Sequence, residues 1–259
     1  MKKDEATGKR WVEVETEVPG TPEEVWAAVA TGPGVSSWFV PTKVEGDKIT
    51  HTFGPGMDSV ATITAWDPPH RFAATSEGWV PGSPSMATEW TVEAKAGGTC
   101  IVRVVHSLFA STDDWDGQLT GVESGWPSIF HVLRLYLTKF KGQPSGAFQA
   151  MAMLPAKTEA EAWPHITGAL GLPEKAGVDW TAPAGAPALH GRVQWTEPGK
   201  NAQLMLLEGP LSGMLMLTSC PAGEQAMLFM SFFLFGDSAK ESAEGAAPAW
   251  QGWLQERFA

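Results

Sequence analysis

The chain is poor in cysteine and in positive charge, and both shortages exclude classes of protein. Cys100 and Cys220 are the only cysteines and show no C-x-x-C spacing, so we expect two reduced, buried thiols and no disulfide framework. Lys and Arg number 18 against 29 Asp and Glu, and no basic run occurs. This balance argues against nucleic acid as a partner, because such binding depends on neutralising phosphates.

Long apolar runs are also missing. The longest, Ala226–Phe235, is about as long as a strand and far short of the roughly 20 residues that a membrane helix needs. The first residues, Met1–Glu5, are polar and no apolar stretch follows them, so they do not read as a secretory signal. We therefore expect a soluble, cytoplasmic protein without a membrane span.

Motifs that bind cofactors or metals are absent. There is no G-x-G-x-x-G after a strand, no phosphate-binding Walker loop and no G-x-S-x-G, and the six histidines show no metal-ligand spacing. The Gly32-Pro33-Gly34 run is interpreted as a helix stop. We predict no cofactor, no metal and no catalytic residue set.

Tryptophan, in contrast, is abundant. The chain has 13 Trp, whereas Tyr occurs once and Asn once. Part of this excess is explained by a composition rich in Ala, Gly and Pro, which is typical of GC-rich coding sequence. Large aromatic surface is also what a cavity for a flat or extended apolar ligand uses.

An internal repeat determines the predicted architecture. Val18–Trp26 and Leu154–Trp163 each run from an apolar strand through Pro into a Thr-x-x-Glu capping box, which begins at Thr21 or Thr158, and reach Trp two residues later. Further along, Ala96–Phe109 parallels Ala222–Phe235 with a constant offset of 126, and a Gly-Trp pair follows each run. Three matches in the same order indicate a duplication. The polar linker Lys141–Gly146 separates the copies, so we predict domains at residues 1–142 and 143–259.

Alternation and turn signals give the same element order in both halves. Each half has a strand, one or two short helices, several antiparallel strands and a final helix. The fold class is therefore α+β, with a curved antiparallel sheet wrapped around a long C-terminal helix in each domain. In the first half the predicted elements are Trp11–Val18, Thr21–Ala30, a turn near Ser36–Phe39, Lys43–Thr52, Ser59–Trp66, Arg71–Glu77, Ala87–Ala94, Cys100–Leu108 and Asp114–Phe140. In the second they are Phe148–Leu154, Thr158–Leu170, Leu189–Thr196, Ala202–Glu208, Leu211–Ser219, Ala226–Phe235 and Ser238–Phe258.

The first half resembles the START-like (SRPBCC, helix-grip) superfamily, in particular its Hsp90-ATPase-activator-homologue branch. The residues that carry the resemblance are Val18–Trp26, Trp38-Phe39, Trp66–Arg71, Gly97–Thr99, Val104–Ser107 and Gly125–Ser128. The second half is similar only in element order. The tandem form resembles START-like proteins of enediyne and polyketide antibiotic producers. The resemblance implies a hydrophobic ligand held between sheet and long helix, and some relatives are cyclases or aromatases.

Candidate ligand-binding residues in the first half lie on the last strands. Alternation places Val104 and His106 on one face of their strand, and His106 is read either as a ligand contact or as a hydrogen-bonded core histidine. Trp90 is predicted to face the cavity or core, whereas Glu89 and Glu93 form a solvated face.

The long helix and one loop supply further candidates. Trp126, Phe130 and Leu133 belong to the apolar stripe of the helix, most of which must be ordinary core. Trp79 and Met86 flank a Pro- and Gly-rich loop that is either an entrance or a plain turn.

In the second half the candidates are Met214, Met216 and Met230, together with Trp253 of the second Gly-Trp pair. Methionine adapts to irregular apolar volume, so these residues form either a deformable pocket wall or the core of a divergent domain.

Three functions compete at this stage. A binding protein for a hydrophobic, polyketide- or polyene-derived molecule, serving antibiotic biosynthesis or self-resistance, fits the aromatic content and the sparse catalytic equipment. A polyketide cyclase or aromatase needs several polar groups inside the cavity. An Hsp90 co-chaperone needs an exposed interaction surface, which the sequence does not display.

Overall fold

The computed structural model divides the chain into two compact units, Met1–Lys141 and Gly142–Ala259, here called domain 1 and domain 2. It describes residues 1–54, 56–77, 84–110, 112–155, 159–197, 199 and 201–258. Both domains are α+β, and each has one antiparallel sheet and a long helix at its C-terminal end. The last helix packs against the first long strand of its own domain, as the helix-grip fold requires.

Domain 1 contains an eight-stranded sheet with the strand order β1-β2-β8-β7-β6-β5-β4-β3. Its elements in chain order are β1 (Lys2–Asp4), β2 (Lys9–Pro19), α1 (Pro22–Ala30), α2 (Gly32–Ser36), β3 (Thr42–Glu45), β4 (Lys48–Thr52), β5 (Asp58–Asp67), β6 (Arg71–Ser76), β7 (Met86–Lys95), β8 (Thr99–Phe109) and α3 (Asp116–Lys139).

Domain 2 contains a six-stranded sheet with the strand order β10-β11-β12-β13-β14-β9. Its elements are β9 (Ser145–Leu154), α4 (Glu159–Leu170), β10 (Asp179–Thr181), β11 (His190–Thr196), β12 (Ala202–Gly209), β13 (Ser212–Ala222), β14 (Gln225–Phe235) and α5 (Ala239–Phe258).

The capping box predicted at Thr21 starts α1. The Thr21 hydroxyl accepts from the Glu24 amide at 3.3 Å, and the Glu24 carboxylate accepts from the Thr21 amide at 3.0 Å. Two otherwise unpaired amides at the helix start are thereby satisfied. The counterpart box at Thr158 lies outside the described residues.

The segment after α1 differs from the prediction of a turn near Ser36–Phe39. Gly32-Pro33-Gly34 stops α1 but also begins α2, whose N-cap Thr31 accepts from the Gly34 amide at 3.1 Å. A Cβ atom on Gly34 would lie 1.8 Å from the Ala27 carbonyl oxygen, so only glycine permits this close crossing of α1 and α2.

The strands of domain 1 differ from the prediction in two places. Lys43–Thr52 is not one strand but the hairpin β3–β4, because Gly46 adopts a φ of 59° in the turn between them. The short edge strand β1, which pairs with β2, was not predicted. The other predicted boundaries of domain 1 shift by only one or two residues, whereas in domain 2 β9 begins three residues earlier and β13 ends three residues later than predicted.

One hydrogen bond recurs in both domains and is not visible in the sequence. The Trp38 indole donates to the Ala28 carbonyl of α1 at 2.9 Å, and the Trp180 indole donates to the Leu170 carbonyl of α4 at 2.9 Å. Both tryptophans are buried and lie ten residues beyond the carbonyl that they bind. Each satisfies a carbonyl in the last turn of the first helix of its domain.

A buried arginine holds the start of α3. Arg10 on β2 is 1% exposed and forms ion pairs with Asp113 at 2.5 Å and Asp116 at 2.6 Å. These carboxylates keep a buried guanidinium compensated, which is the condition under which proteins tolerate a buried charge. The ion pair therefore ties the first strand of the sheet to the beginning of the long helix.

The strands of the two copies align closely at one hairpin. β8 and β14 are related by the offset of 126, which makes Phe232 the counterpart of His106. The preceding turn has three residues between Lys95 and Thr99 but only two in domain 2. Along β13 the offset therefore becomes 127, and a shift of one residue exchanges the two faces of a strand.

That shift explains why Met214 and Met216 do not lie on the face of β13 where they were predicted. Leu215 and Leu217 face the core on α5, together with Met230 of β14. Met214 and Met216 are buried on the opposite face of β13, so they do not line the space between sheet and helix. Period-two patterning gives no face for this strand because residues 213–217 are all buried.

The two thiols differ in environment. Cys100 is buried, and burial raises its pKa above the ordinary value for a thiol. Cys220 is exposed, so the expectation of two buried thiols is wrong for this residue.

Candidate functional site: an aromatic cluster on the concave face of domain 1

The central strands of domain 1 present a largely apolar face to α3. Met86 and Trp90 of β7 and Val104 and His106 of β8 are all buried on this face. The opposite face is polar and accessible, and Glu89 there accepts from the Arg71 guanidinium Nε at 2.8 Å. The strand alternation read from the sequence therefore matches this pair of strands, and the concave face is where a ligand would be held.

Trp126 of α3 is the centre of the ring contacts on this face. Its ring centroid lies 5.1 Å from that of Trp90, 5.3 Å from that of Phe130 and 5.7 Å from that of His106. Leu133, two turns further along, is fully buried. The cluster continues through Trp38 and Phe72, each 6.3 Å from Trp90, so aromatic surface connects the helix, the sheet and the segment after α2.

His106 is fully occupied by protein hydrogen bonds. The Trp126 indole N–H, which can only donate, lies 2.8 Å from His106 Nε2, so this nitrogen must be the acceptor. The Nδ1–H of the neutral ring then donates to the Thr88 hydroxyl at 2.9 Å. Burial lowers the pKa of His106 to about 4. Protonation of Nε2 would in addition direct its N–H group at the N–H group of the Trp126 indole.

These bonds assign His106 a structural role. A general base needs an unoccupied nitrogen within reach of the proton it abstracts. Both nitrogens of His106 are engaged, so the hydrogen-bonded core histidine is the reading that the geometry favours. The side chain fixes the indole of Trp126, and through it the wall of the aromatic cluster.

The cluster reaches solvent at its other end, around Phe39, His51 and Phe53. Phe39 contacts Trp126 at 5.5 Å between centroids, and Phe53 lies 5.9 Å from Phe39. The His51 ring lies 6.3 Å from Phe39 and 6.4 Å from Phe53. Phe53 is 37% exposed and the other two are partly buried, so these rings are the accessible part of the cluster.

His51 differs from His106 because one of its nitrogens is not used. The Thr42 hydroxyl donates to the Val40 carbonyl at 2.9 Å, so its oxygen accepts from His51 Nδ1–H at 2.8 Å. Among the residues that the structure describes, none bonds to His51 Nε2. Burial lowers the pKa of His51 to about 4, which keeps the ring neutral and Nε2 an acceptor near pH 7.

Sequence reasoning missed Phe39, His51 and Phe53 as site residues. His51 lies on β4, within the predicted strand Lys43–Thr52, whereas Phe53 directly follows β4 and Phe39 follows α2. The Trp38-Phe39 pair was noted only for its resemblance to a family. Alternation along Ile49, His51 and Phe53 was the signal that places them on one face.

Trp79 and Trp253, the two remaining predicted site residues, are not part of this cluster as described. Trp79 lies outside the described residues, so nothing tests its assignment. Trp253 is partly buried beside Trp250, with 5.8 Å between ring centroids, and it is Trp250 that packs on the sheet.

Domain 2 replaces the polar pair of domain 1 with an apolar one. Phe232, the counterpart of His106, contacts Trp250 of α5 at 5.2 Å between ring centroids. The residue opposite Phe232 on β13 is Leu215, where domain 1 has Thr88 opposite His106. The equivalent positions of domain 2 are thus filled by ordinary core.

Within the described part of the chain, no group of three His, Cys, Asp or Glu side chains is placed to hold a metal ion. No described helix is both long and apolar enough to cross a membrane.

Comparison with known families agrees with the geometry of domain 1. Residues 10–131 match the model of the family described as polyketide cyclase / dehydrase and lipid transport. Most of domain 1 is therefore similar to this family, which is an SRPBCC family. The match spans just under half of the chain and lies wholly within domain 1. No curated protein sequence matches the chain.

Several solved structures are similar to the chain. DynU16, from the dynemicin biosynthetic locus, is 18% identical and aligns over 96% of this chain and 99% of its own, with a TM-score of 0.43. BexL, a di-domain ARO/CYC protein of the BE-7585A biosynthetic pathway, is 16% identical over 96% and 98%, with a TM-score of 0.46. CalU16 from Micromonospora echinospora is 18% identical over 51% and 78%, with a TM-score of 0.41. Identities of this size say nothing about a shared ligand.

Proposed function

We propose that domain 1 binds a hydrophobic small molecule against the aromatic cluster between its sheet and α3, without catalysing a reaction. The ligand is polyketide- or polyene-derived and serves antibiotic biosynthesis or self-resistance. One observation carries the proposal: the accessible end of the cluster consists of Phe39, Phe53 and His51, continuous with buried Trp126. A binding surface of this kind takes its affinity from apolar contact.

The hydrogen bonds of His106 support a binding function over a catalytic one. The imidazole at the centre of the cluster has no unused nitrogen, since His106 is bonded to Trp126 and Thr88. General acid–base chemistry on a polyketide chain needs groups that exchange protons near pH 7, and a pKa of about 4 removes His106 from that range.

The test is titration of the full chain with Nile red, a neutral apolar dye whose emission rises on burial. We expect saturable binding that weakens at least tenfold in Phe39→Ala. Phe109→Ala is the matched control, because Phe109 is 63% exposed and is not among the ring contacts described above. Absence of saturable binding, or equal affinity of Phe39→Ala and the wild type, would contradict the proposal.

A cyclase or aromatase is the second candidate, and the unused Nε2 of His51 is the observation that favours it. A neutral imidazole at the accessible end of the cluster is the one base that the described cluster offers. Incubation with a synthetic poly-β-ketone thioester separates the two functions. Formation of a cyclised product that disappears in His51→Phe would replace the binding proposal with the enzymatic one.

A further inference from the structure

We propose that the ligand of domain 1 is a planar, uncharged aromatic molecule with an O–H or N–H group that donates a hydrogen bond to His51 Nε2. This inference rests on the proposed function and names the ligand class of the same site. It makes His51 the residue that determines specificity, whereas the surrounding rings supply affinity.

The protein determines which nitrogen of His51 accepts a hydrogen bond. Thr42 is 8% exposed, and its hydroxyl is committed as a donor to the Val40 carbonyl. His51 must therefore place its proton on Nδ1, toward Thr42, and present the lone pair of Nε2 on the other side of the ring. A tautomer locked in this way accepts from a ligand and cannot donate to one.

The walls around the acceptor suit a flat ring. Phe39 stands at 71° to the imidazole plane and Phe53 at 59°, and Phe39 and Phe53 are at 82° to each other. Rings at these angles offer an aromatic guest both faces and edges, which are the contacts that aromatic pairs prefer.

The side chains around His51 Nε2 also indicate whether the ligand is charged. None of the side chains that contact His51 in these ring and hydrogen-bond pairs, Phe39, Thr42 and Phe53, carries a formal charge. An anionic ligand would meet no cation there and would lose hydration without compensation. A neutral phenol or a heteroaromatic N–H satisfies the acceptor without that cost.

The expected discrimination follows from pairing an acceptor that the bound ligand cuts off from water. A ligand that lacks the donor leaves Nε2 unpaired in a partly buried site, and sites built around such a hydrogen bond reject the analogue that cannot form it. We expect a preference of about tenfold or more for a hydroxylated ring over its methyl ether.

The experiment compares 2-naphthol with 2-methoxynaphthalene by isothermal titration calorimetry on the full chain. The wild type should bind 2-naphthol at least tenfold more tightly. His51→Phe should bind both probes with similar affinity, and the matched control His70→Phe, at an exposed histidine of the β5–β6 turn, should keep the wild-type preference. Thr42→Val, which frees the tautomer of His51, should reduce the preference if His51→Phe does not fold.

Equal affinity of the wild type for both probes overturns this inference but leaves the proposed function intact. A preference that persists in folded His51→Phe or Thr42→Val overturns it as well. If the wild type binds neither probe nor Nile red, the proposed function itself fails.

Discussion

Acidification should destabilise domain 1 well before its carboxylates are protonated. His51 and His106 both have pKa values of about 4 in the folded chain, against about 6.5 in an unfolded one. The unfolded chain therefore binds more protons between these values, and stability falls as the pH drops from about 6.5 toward 4. Linkage gives a loss of about 2 kcal/mol for each histidine between pH 7 and pH 5, or about 4 kcal/mol for the two together.

Urea unfolding of the wild type and of His106→Gln at pH 7 and pH 5 isolates the contribution of His106, the more deeply buried histidine, to this loss of stability. Glutamine does not titrate, and its amide can still accept from the Trp126 indole and donate to Thr88. The pH-dependent loss of unfolding free energy should shrink by about 2 kcal/mol in this variant. An unchanged loss, or an NMR titration of His106 with a pKa near 6.5, would refute the locked neutral imidazole.

Three further substitutions test the fold around the site. Arg10→Met should lower the unfolding free energy by about 3 kcal/mol because two aspartates lose a buried partner. Arg103 forms more accessible ion pairs with Glu13 and Glu15, so Arg103→Met should cost about 1 kcal/mol or less in the same urea titration. Equal costs would contradict the role of the buried ion pair. Gly34→Ala should lower the unfolding free energy by at least about 2 kcal/mol through overpacking. Gly121→Ala, in an open part of α3, should raise the unfolding free energy by about 0.5–1 kcal/mol. Thermal melts that rank the two variants in reverse would refute the crossing geometry of α1 and α2. Trp126→Phe should cost about 1–3 kcal/mol by leaving a buried imidazole acceptor unpaired, and a neutral result in urea would argue against that hydrogen bond.

The sequence predicts those features of domain 1 that depend on neighbours along the chain. Alternation along β8 correctly puts Val104 and His106 on one buried face, and the Thr21 capping box marks the start of α1. The apolar stripe locates α3 within two residues of its observed ends. These signals are local, so a single sequence carries them.

Features that depend on a distant partner were not predicted. The free nitrogen of His51 follows from Thr42 on the adjacent strand, and the bound nitrogen of His106 follows from Trp126 on α3. The face of Met214 depended on a turn one residue shorter than its counterpart in domain 1. Each of these outcomes is set by tertiary pairing, which composition and periodicity do not encode.

The unequal sheets have a consequence for stoichiometry. By sheet order β10 stands where β4 stands in domain 1, yet it has three residues where β4 has five, and the described part of domain 2 has no counterpart of β3 beyond it. Its buried residue is Trp180, which is bonded to the end of α4. The described residues of domain 2 thus lack a counterpart of the hairpin that carries His51, so the corner formed by Phe39, His51 and Phe53 is described once for two copies of the fold. A saturating titration should therefore reach one ligand molecule for each chain.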